Sequence, residues 1–269
     1  MVEFAEKNGF YDPAKGPFDF AAAYTRNDER DRIYNDPRVW QIQKLFNPSV
    51  IQPVDDGREF AVFMKPERKL SVEDAKRVMR DHFDGSEHDP YSNGLNGKEP
   101  WRPVSVFRTY EAHVVQVRPW MPHAIGDVIY IAFGMADLSC FMPFYQGLES
   151  VPEHYQIGTD QADSASVYWK FRKLQTLVMT NYEVYAPLVK KAFAEQEQAL
   201  SAKQAKLEEE YMALVKTDKE AATALLQKVN LEMLAETEAL CKKLTNQVFT
   251  LATETIQKDI FFANRSKKD

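Results

Sequence analysis

Three ionisable side chains stand in an otherwise apolar segment, residues 104–118 with the sequence VSVFRTYEAHVVQVR: Arg108, Glu111 and His113. In a buried strand such groups are costly unless each finds a partner. Two interpretations remain open, a structural polar network and a strand that lines a binding cleft. Residues three apart on a strand point to opposite faces, whereas residues two apart share one. We therefore expect Arg108 and Glu111 to meet different partners, and Glu111 and His113 to share a face.

A second arginine-rich segment, residues 28–40 (DERDRIYNDPRVW), contains Arg32 and Arg38. Arg38 follows a proline and precedes valine and tryptophan. A guanidinium held against aromatic packing is suited to binding a carboxylate or an oxyanion. A solvated charged turn at a helix start explains the same pattern, so both interpretations stay open.

Four potential metal ligands occur within nine residues, namely Asp81, His82, His88 and Asp89. Their spacing matches no zinc framework. A polar loop after a helix explains them as well, so we predict no metal site.

The two cysteines, Cys140 and Cys241, lie far apart in the chain and have no base at a fixed offset. Both stand in apolar surroundings, where a thiol packs as a small hydrophobe. We predict that neither is a nucleophile and that they form neither a disulfide nor a zinc site, which favours a reducing cytoplasm.

The composition excludes several classes of protein. The 269 residues are 44% hydrophobic and 28% charged, as in a globular protein, and the net charge of −6 argues against nucleic-acid binding. No apolar run approaches the roughly 18 residues needed to cross a bilayer. The first residues, MVEFAEKNGFYDP, have no basic and apolar regions like those of a secretory signal.

The elements that must position these residues follow from periodicity and turn signals. Residues 104–110, 113–118 and 127–134 are rich in β-branched and aromatic residues, which predicts an antiparallel meander. The third segment is almost wholly apolar, so we expect it to be covered on both faces. Ser71 and Asp74 form a capping-box sequence that predicts a helix to about residue 82.

Residues 165–260 are predicted to be helical. Apolar residues recur at helical spacing on both sides of Thr217 and Glu220, which form another capping-box sequence. A long antiparallel hairpin over residues 185–260 follows. The competing interpretation is a coiled-coil interaction module, although the apolar heptads are few and irregular.

Several sequence blocks, in this order, resemble the thiol dipeptidases of the dipeptidase A type, which are N-terminal-nucleophile hydrolases. These blocks are residues 34–40 (YNDPRVW), 89–91 (DPY), 102–114 (RPVSVFRTYEAHV), 133–134 followed by 143–145, and 163–172 (DSASVYWKFR). The resemblance implies an α+β fold, part of an αββα N-terminal-nucleophile sandwich with a long C-terminal helical hairpin. Residues 1–180 would be the later part of the dipeptidase domain, and residues 181–269 the hairpin and tail.

The resemblance also implies a chemistry. In that family an N-terminal cysteine attacks a dipeptide carbonyl, and its own α-amino group serves as the base, without a cofactor. This sequence has no cysteine before Cys140. We therefore expect it to be the C-terminal part of such an enzyme, inactive alone because the nucleophile is absent.

The same resemblance assigns site residues and partners. Arg38, with Arg32 as the alternative, would support catalysis, and Arg108, Glu111 and His113 would line the substrate cleft. The expected partners are a dipeptide substrate, the missing N-terminal half and further copies of the chain, with no nucleic acid and no membrane. An incomplete sandwich should leave apolar sheet surface uncovered. The alternative function is a non-enzymatic interaction protein that uses the hairpin of residues 185–260.

Overall fold

Short helices precede a small sheet, and long helices follow it, in a computed structural model that describes residues 1–25, 28–54, 60–91 and 101–265. The first part holds α1 (Val2–Lys7), α2 (Phe20–Tyr24), α3 (Asp31–Tyr34), α4 (Asp36–Phe46) and α5 (Val72–Arg80). The sheet consists of β1 (Glu111–Val117), β2 (Asp127–Phe133) and β3 (Met142–Tyr145), with α6 (His123–Gly126) between the first two. The last part holds α7 (Val167–Met179), α8 (Tyr182–Leu214) and α9 (Lys219–Arg265). The chain is therefore an α+β protein.

The predicted helix after Ser71 is confirmed. The Ser71 hydroxyl accepts a hydrogen bond from the backbone N–H of Asp74, and the Asp74 carboxylate accepts one from the N–H of Ser71, which completes the capping box. The helix ends at Arg80, close to the predicted end.

The sheet is an antiparallel meander in the order β1-β2-β3. The strands predicted over residues 113–118 and 127–134 correspond to β1 and β2, whereas β3 was not predicted. Val115 pairs with Ile129, which in turn pairs with Phe144. The prediction of a further strand over residues 104–110 is wrong, because that segment is irregular.

In the segment 104–110, side chains from elsewhere in the chain form hydrogen bonds with backbone groups that would pair with a neighbouring strand if the segment were part of the sheet. The Arg172 guanidinium donates to the carbonyl oxygens of Phe107 and Thr109. The Tyr91 hydroxyl accepts from the N–H of Phe107 at 2.9 Å and donates to the carbonyl of Ser105 at 2.8 Å. Periodicity cannot reveal such partners, since they lie far away in sequence.

The two faces of the sheet differ in their cover. On one face Tyr130 packs under the Lys76 ammonium group of α5, and Tyr145 donates to the Glu208 carboxylate of α8 at 2.8 Å. On the other face Val115 and Val117 are 52% and 63% exposed, and Ile129 is 40% exposed. The expectation that β2 is covered on both faces is therefore wrong at Ile129. Among the described residues, these three side chains leave apolar surface of the sheet uncovered.

The predicted hairpin is confirmed as α8 and α9. Its buried residues, including Phe193, Leu200, Leu226 and Val248, belong to the same apolar core as the sheet. Asp218 caps α9 by accepting from the N–H of Ala221 at 2.9 Å. The prediction that Thr217 caps is wrong, because its hydroxyl donates to the carbonyl of Leu214 instead.

No helix in the described ranges combines the length and the apolar character needed to cross a membrane.

Replacement of Arg172 by alanine should lower the free energy of unfolding by about 3 kcal/mol, because two partly buried carbonyls lose the charged donor supplied by this buried side chain. Urea unfolding followed by circular dichroism measures this change. Lys173→Ala, at the exposed neighbouring residue of α7, is the matched control and should stay within about 0.5 kcal/mol of the parent. Equal effects of the two substitutions would contradict the fastening role of Arg172.

Candidate functional site

Arg38 lies in the first turn of α4, where Pro37 provides the fixed backbone angle suited to a helix start. Its Nε donates to the carbonyl of Tyr34 at 2.7 Å, and its Nη2 donates to the amide oxygen of Asn35 at 2.8 Å. The guanidinium is half-buried and is folded back over the corner between α3 and α4. This geometry holds a cation in a fixed place while Nη1 makes no hydrogen bond to any described residue.

A second arginine reaches the same corner. The backbone N–H of Arg102 donates to the carbonyl of Ile33 at 3.0 Å, and its guanidinium carbon lies 5.7 Å from the centre of the Tyr34 ring. The Nε of Arg102 is buried and has no hydrogen-bond acceptor among the described residues. Tyr34 therefore connects both arginines, Arg38 through its carbonyl and Arg102 through its ring.

The pKa of Arg38 reports this crowding. Burial lowers the pKa, and the positive charge of Arg102 lowers it further. Within the described parts of the chain, no carboxylate lies within ion-pair distance of either guanidinium to offset this repulsion.

Aromatic rings form a wall beside the two arginines. Trp101, which precedes Arg102, lies 6.0 Å from Trp40 and 5.3 Å from Phe83 between ring centres, and it stacks on His88 at 3.7 Å. Sequence reasoning selected Arg38 and did not select Arg102. A signal was available, because Trp101-Arg102-Pro103 repeats the association of arginine, proline and tryptophan found around Arg38. Arg32, the alternative, is exposed on α3.

The three residues predicted to line a cleft do not stay together. Glu111 and His113 share the exposed face of β1, and the His113 Nδ1 lies 3.1 Å and 3.2 Å from the two Glu111 carboxylate oxygens. Both line a small cleft of about 240 Å³. Arg108 is exposed on the irregular segment and is not among the lining residues, so Arg108 and Glu111 have separate surroundings.

A buried polar network escaped the sequence analysis. The His82 Nδ1 lies 2.9 Å from the Asp89 carboxylate, and its Nε2 lies 3.1 Å from the Tyr182 hydroxyl, 100 residues away. Tyr182 also donates to Asp137, whose other oxygen lies 2.7 Å from the Lys190 ammonium. His82 and Asp89 stood out as a polar pair in the sequence, but nothing local indicates the other three.

The pKa of His82 is raised. Burial opposes its positive charge, but the hydrogen bond to Asp89 and the negative charges of Asp137 and Asp89 outweigh burial and the charge of Lys190. Ligand atoms of His82, Asp84 and Asp89 lie within 4.8 Å of one another. A cation there would have to displace the hydrogen bonds that both His82 nitrogens already make.

A wider cleft of about 580 Å³ lies beside this network. Arg80 donates to Glu197 and, at 3.2 Å, to the carbonyl of Ser139, and Glu197 also accepts from the N–H of Phe141 at 2.7 Å. These contacts attach α5 and α8 to the loop after β2. Each charge in the wall is matched by an opposite one, which is typical of a structural network.

The cysteines behave as predicted for core residues, since both are buried. Burial raises the pKa of Cys140 well above its ordinary value, and burial raises that of Cys241 to about 12. The thiolate is the reactive form, so both thiols are poor nucleophiles.

Comparison with known proteins shows the family to which the chain belongs. The profile of peptidase family C69 matches residues 1–195, and the chain belongs to this family. A probable dipeptidase of Salmonella dublin is 50% identical over 161 residues, which cover 60% of this chain and 36% of the relative. A probable dipeptidase of Latilactobacillus sakei is 30% identical over 202 residues, 75% of this chain and 41% of the relative. Dipeptidase A of Lactobacillus helveticus is 30% identical over 162 residues, which cover 59% of this chain and 34% of the relative. The chain thus spans well under half the length of these relatives.

The buried histidine should make stability depend on pH. Because the folded pKa of His82 lies above the unfolded value of about 6.5, its stabilisation is complete below that pH and is lost as pH rises through the folded pKa. The urea midpoint should fall over this range, and His82→Gln should remove that part of the slope. His123→Gln, at an exposed histidine, should retain the parent slope. A slope that is unchanged in His82→Gln would contradict the assignment.

Proposed function

We propose that this chain supplies the later part of a cysteine dipeptidase that hydrolyses dipeptides. The observation that carries the proposal is membership of peptidase family C69 together with 50% identity to a protein named probable dipeptidase. The nucleophile of the proposed enzyme is an N-terminal cysteine that belongs to another part of the enzyme. Its α-amino group takes the thiol proton, and the thiolate attacks the dipeptide carbonyl to form a thioester. The peptide bond breaks, and the C-terminal amino acid leaves with that proton on its amine. Water then hydrolyses the thioester, which frees the N-terminal amino acid and the thiol.

The chemistry of the two cysteines supports this placement of the nucleophile. A cysteine within a chain has no α-amino group of its own to act as base, and burial raises the pKa of both Cys140 and Cys241. The two cysteines lie far apart in the chain, and the compartment we propose is a reducing one such as the cytoplasm.

The open face of the sheet is the proposed contact with the rest of the enzyme. Val115 and Val117 on β1 and Ile129 on β2 form an exposed apolar strip, and β1 is an edge strand. Such strips and unpaired edges favour association. In an N-terminal-nucleophile sandwich this face would pack against a second sheet. Self-association of the chain through the same strip is the expected result when that partner is lacking.

The proposed site combines Arg38 with the β1 cleft. Arg38 supports the reaction as a fixed cation, with Arg32 as the weaker alternative because it is exposed. Glu111 and His113 line the substrate cleft, and Arg108, which is exposed on the segment before β1, is the third residue that we assign to substrate binding.

The alternative, an interaction protein that uses the hairpin of residues 185–260, is less well supported. Val184 on α8 and Phe249, Leu251, Ile256 and Ile260 on α9 are exposed. The apolar surface of the rest of the hairpin is buried against the sheet and α7, for example Phe193 against Phe171 with ring centres 6.1 Å apart. That surface is therefore already occupied within the chain.

Alone, the chain should hydrolyse dipeptides only at the background rate, and Cys140→Ser and Cys241→Ser should leave that rate unchanged. When co-purified with the preceding segment of a family C69 dipeptidase, it should restore release of alanine from alanyl-alanine. In that assembly Arg38→Ala should lower kcat/KM by about a hundredfold, since a charged hydrogen bond near a reaction centre contributes about 2–4 kcal/mol. Arg32→Ala should lower it less. Activity of the chain alone that is lost in Cys140→Ser would refute this placement of the nucleophile.

Association through the open sheet face is tested by light scattering at increasing protein concentration. Val117→Glu places a charge in the apolar strip and should shift the chain from self-associated species to monomer. Val184→Glu is the matched control, because Val184 is similarly exposed at 59% but lies on α8. A parent chain that is monomeric throughout, or equal effects of the two substitutions, would contradict the proposal.

A further inference from the structure

Arg38 and Arg102 form a two-arginine site that lacks an anion in the described part of the chain. The two guanidinium groups meet at Tyr34, which accepts a hydrogen bond from Arg38 and presents its ring to Arg102. Like charges at such a site repel unless an anion lies between them. Two hydrogen bonds hold the Arg38 guanidinium, and the Arg102 guanidinium packs against the Tyr34 ring.

The hydrogen bonds of the two arginines also indicate a site for an anion. A buried donor without an acceptor is costly, and the buried Nε of Arg102 has none among the described residues. Arg38 uses its Nε and Nη2 for Tyr34 and Asn35, which leaves Nη1 available. Both sets of donors belong to planar guanidinium groups, whose geometry matches the two oxygens of a carboxylate.

We propose that Arg38 and Arg102 together bind a carboxylate, which in the assembled dipeptidase is the C-terminal carboxylate of the dipeptide. The identity of this ligand rests on the proposed function, whereas the carboxylate site itself does not. An enzyme that is restricted to dipeptides must detect both ends of its substrate. The arginine pair would bind the C-terminal carboxylate of a dipeptide. A longer peptide has an uncharged amide bond at that position and would bind less tightly. An acidic side chain from the rest of the enzyme is the other source of the same chemistry.

Binding to the chain itself tests the site without any need for activity. The side-chain Nε–H signal of Arg102 is followed by nitrogen-15 NMR during titration with alanyl-alanine, alanyl-alanine amide, acetate and inorganic phosphate. Alanyl-alanine and acetate should shift the signal, and the amide should not. No shift with any carboxylate, or equal shifts with dipeptide and amide, would overturn the carboxylate site; tighter binding of phosphate would overturn the ligand class.

Matched variants locate the effect. Arg38→Gln and Arg102→Gln should each weaken binding of alanyl-alanine by about tenfold or more, as expected for a lost charged hydrogen bond. Arg30→Gln, which removes an exposed arginine just before α3, should leave it unchanged. Arg102→Lys keeps the charge without the planar fork and should weaken binding to an intermediate degree, which keeps the test valid should Arg102→Gln unfold. Equal weakening by Arg30→Gln would show a general charge effect and overturn the site.

The assembled enzyme separates the two sources of the carboxylate. For a dipeptide ligand, Arg102→Gln should raise KM for alanyl-alanine by about tenfold or more and leave KM for alanyl-alanine amide unchanged. If the carboxylate belongs to an acidic side chain, Arg102→Gln should instead weaken assembly of the two parts in gel filtration and leave KM unchanged. That result would support the carboxylate site and overturn the role of the dipeptide. An assembly that hydrolyses no dipeptide refutes the proposed function, while the NMR titration still decides on the arginine pair.

Discussion

Buried peptide groups need hydrogen-bond partners, and that requirement shapes this fold around its small sheet. The irregular segments before β1 and after β2 have no ladder to satisfy them. Side chains from the helices supply the donors: Arg172 binds the carbonyls of residues 107 and 109, and Gln175 binds those of residues 133, 135 and 138. Gly134, at φ 74°, lies so close to Gln175 that an added Cβ would stand 2.2 Å from its amide oxygen. Helix α7 therefore fastens the loops and fixes the ends of the strands.

The same arrangement leaves the sheet unequal on its two faces. Helices α5 and α8 cover one face. Both helices of the hairpin, α8 and α9, contribute side chains to the apolar core that includes the sheet. The strip of Val115, Val117 and Ile129 on the other face remains exposed. Burial of apolar surface is the main source of stability, and this strip is the surface that we propose contacts the rest of the enzyme.

The balance of charge differs between the polar network around His82 and Glu197 and the arginine pair at Tyr34. Around His82 and Glu197, each buried charge faces an opposite one, and the result is a structural network that connects distant segments. At Tyr34 two positive charges meet, and no described carboxylate offsets them. Imbalance of this kind is unfavourable in a free protein and becomes favourable when an anion binds. The contrast separates a region that stabilises the fold from one that is suited to a ligand.

The sequence by itself determined the local elements and the family. The capping box at Ser71, the apolar strands β1 and β2, the helical hairpin and the burial of both cysteines follow from patterns within a few residues, because backbone geometry and solvent exposure act at short range. It misplaced a strand at residues 104–110 and overlooked Arg102, since the partners of both lie in distant segments. Only the tertiary structure placed Arg172 on the carbonyls of that segment and Arg102 beside Arg38 at Tyr34. Hydrogen bonds and charge interactions form between groups that tertiary packing brings close together. Local sequence patterns cannot predict which distant residues will become neighbours.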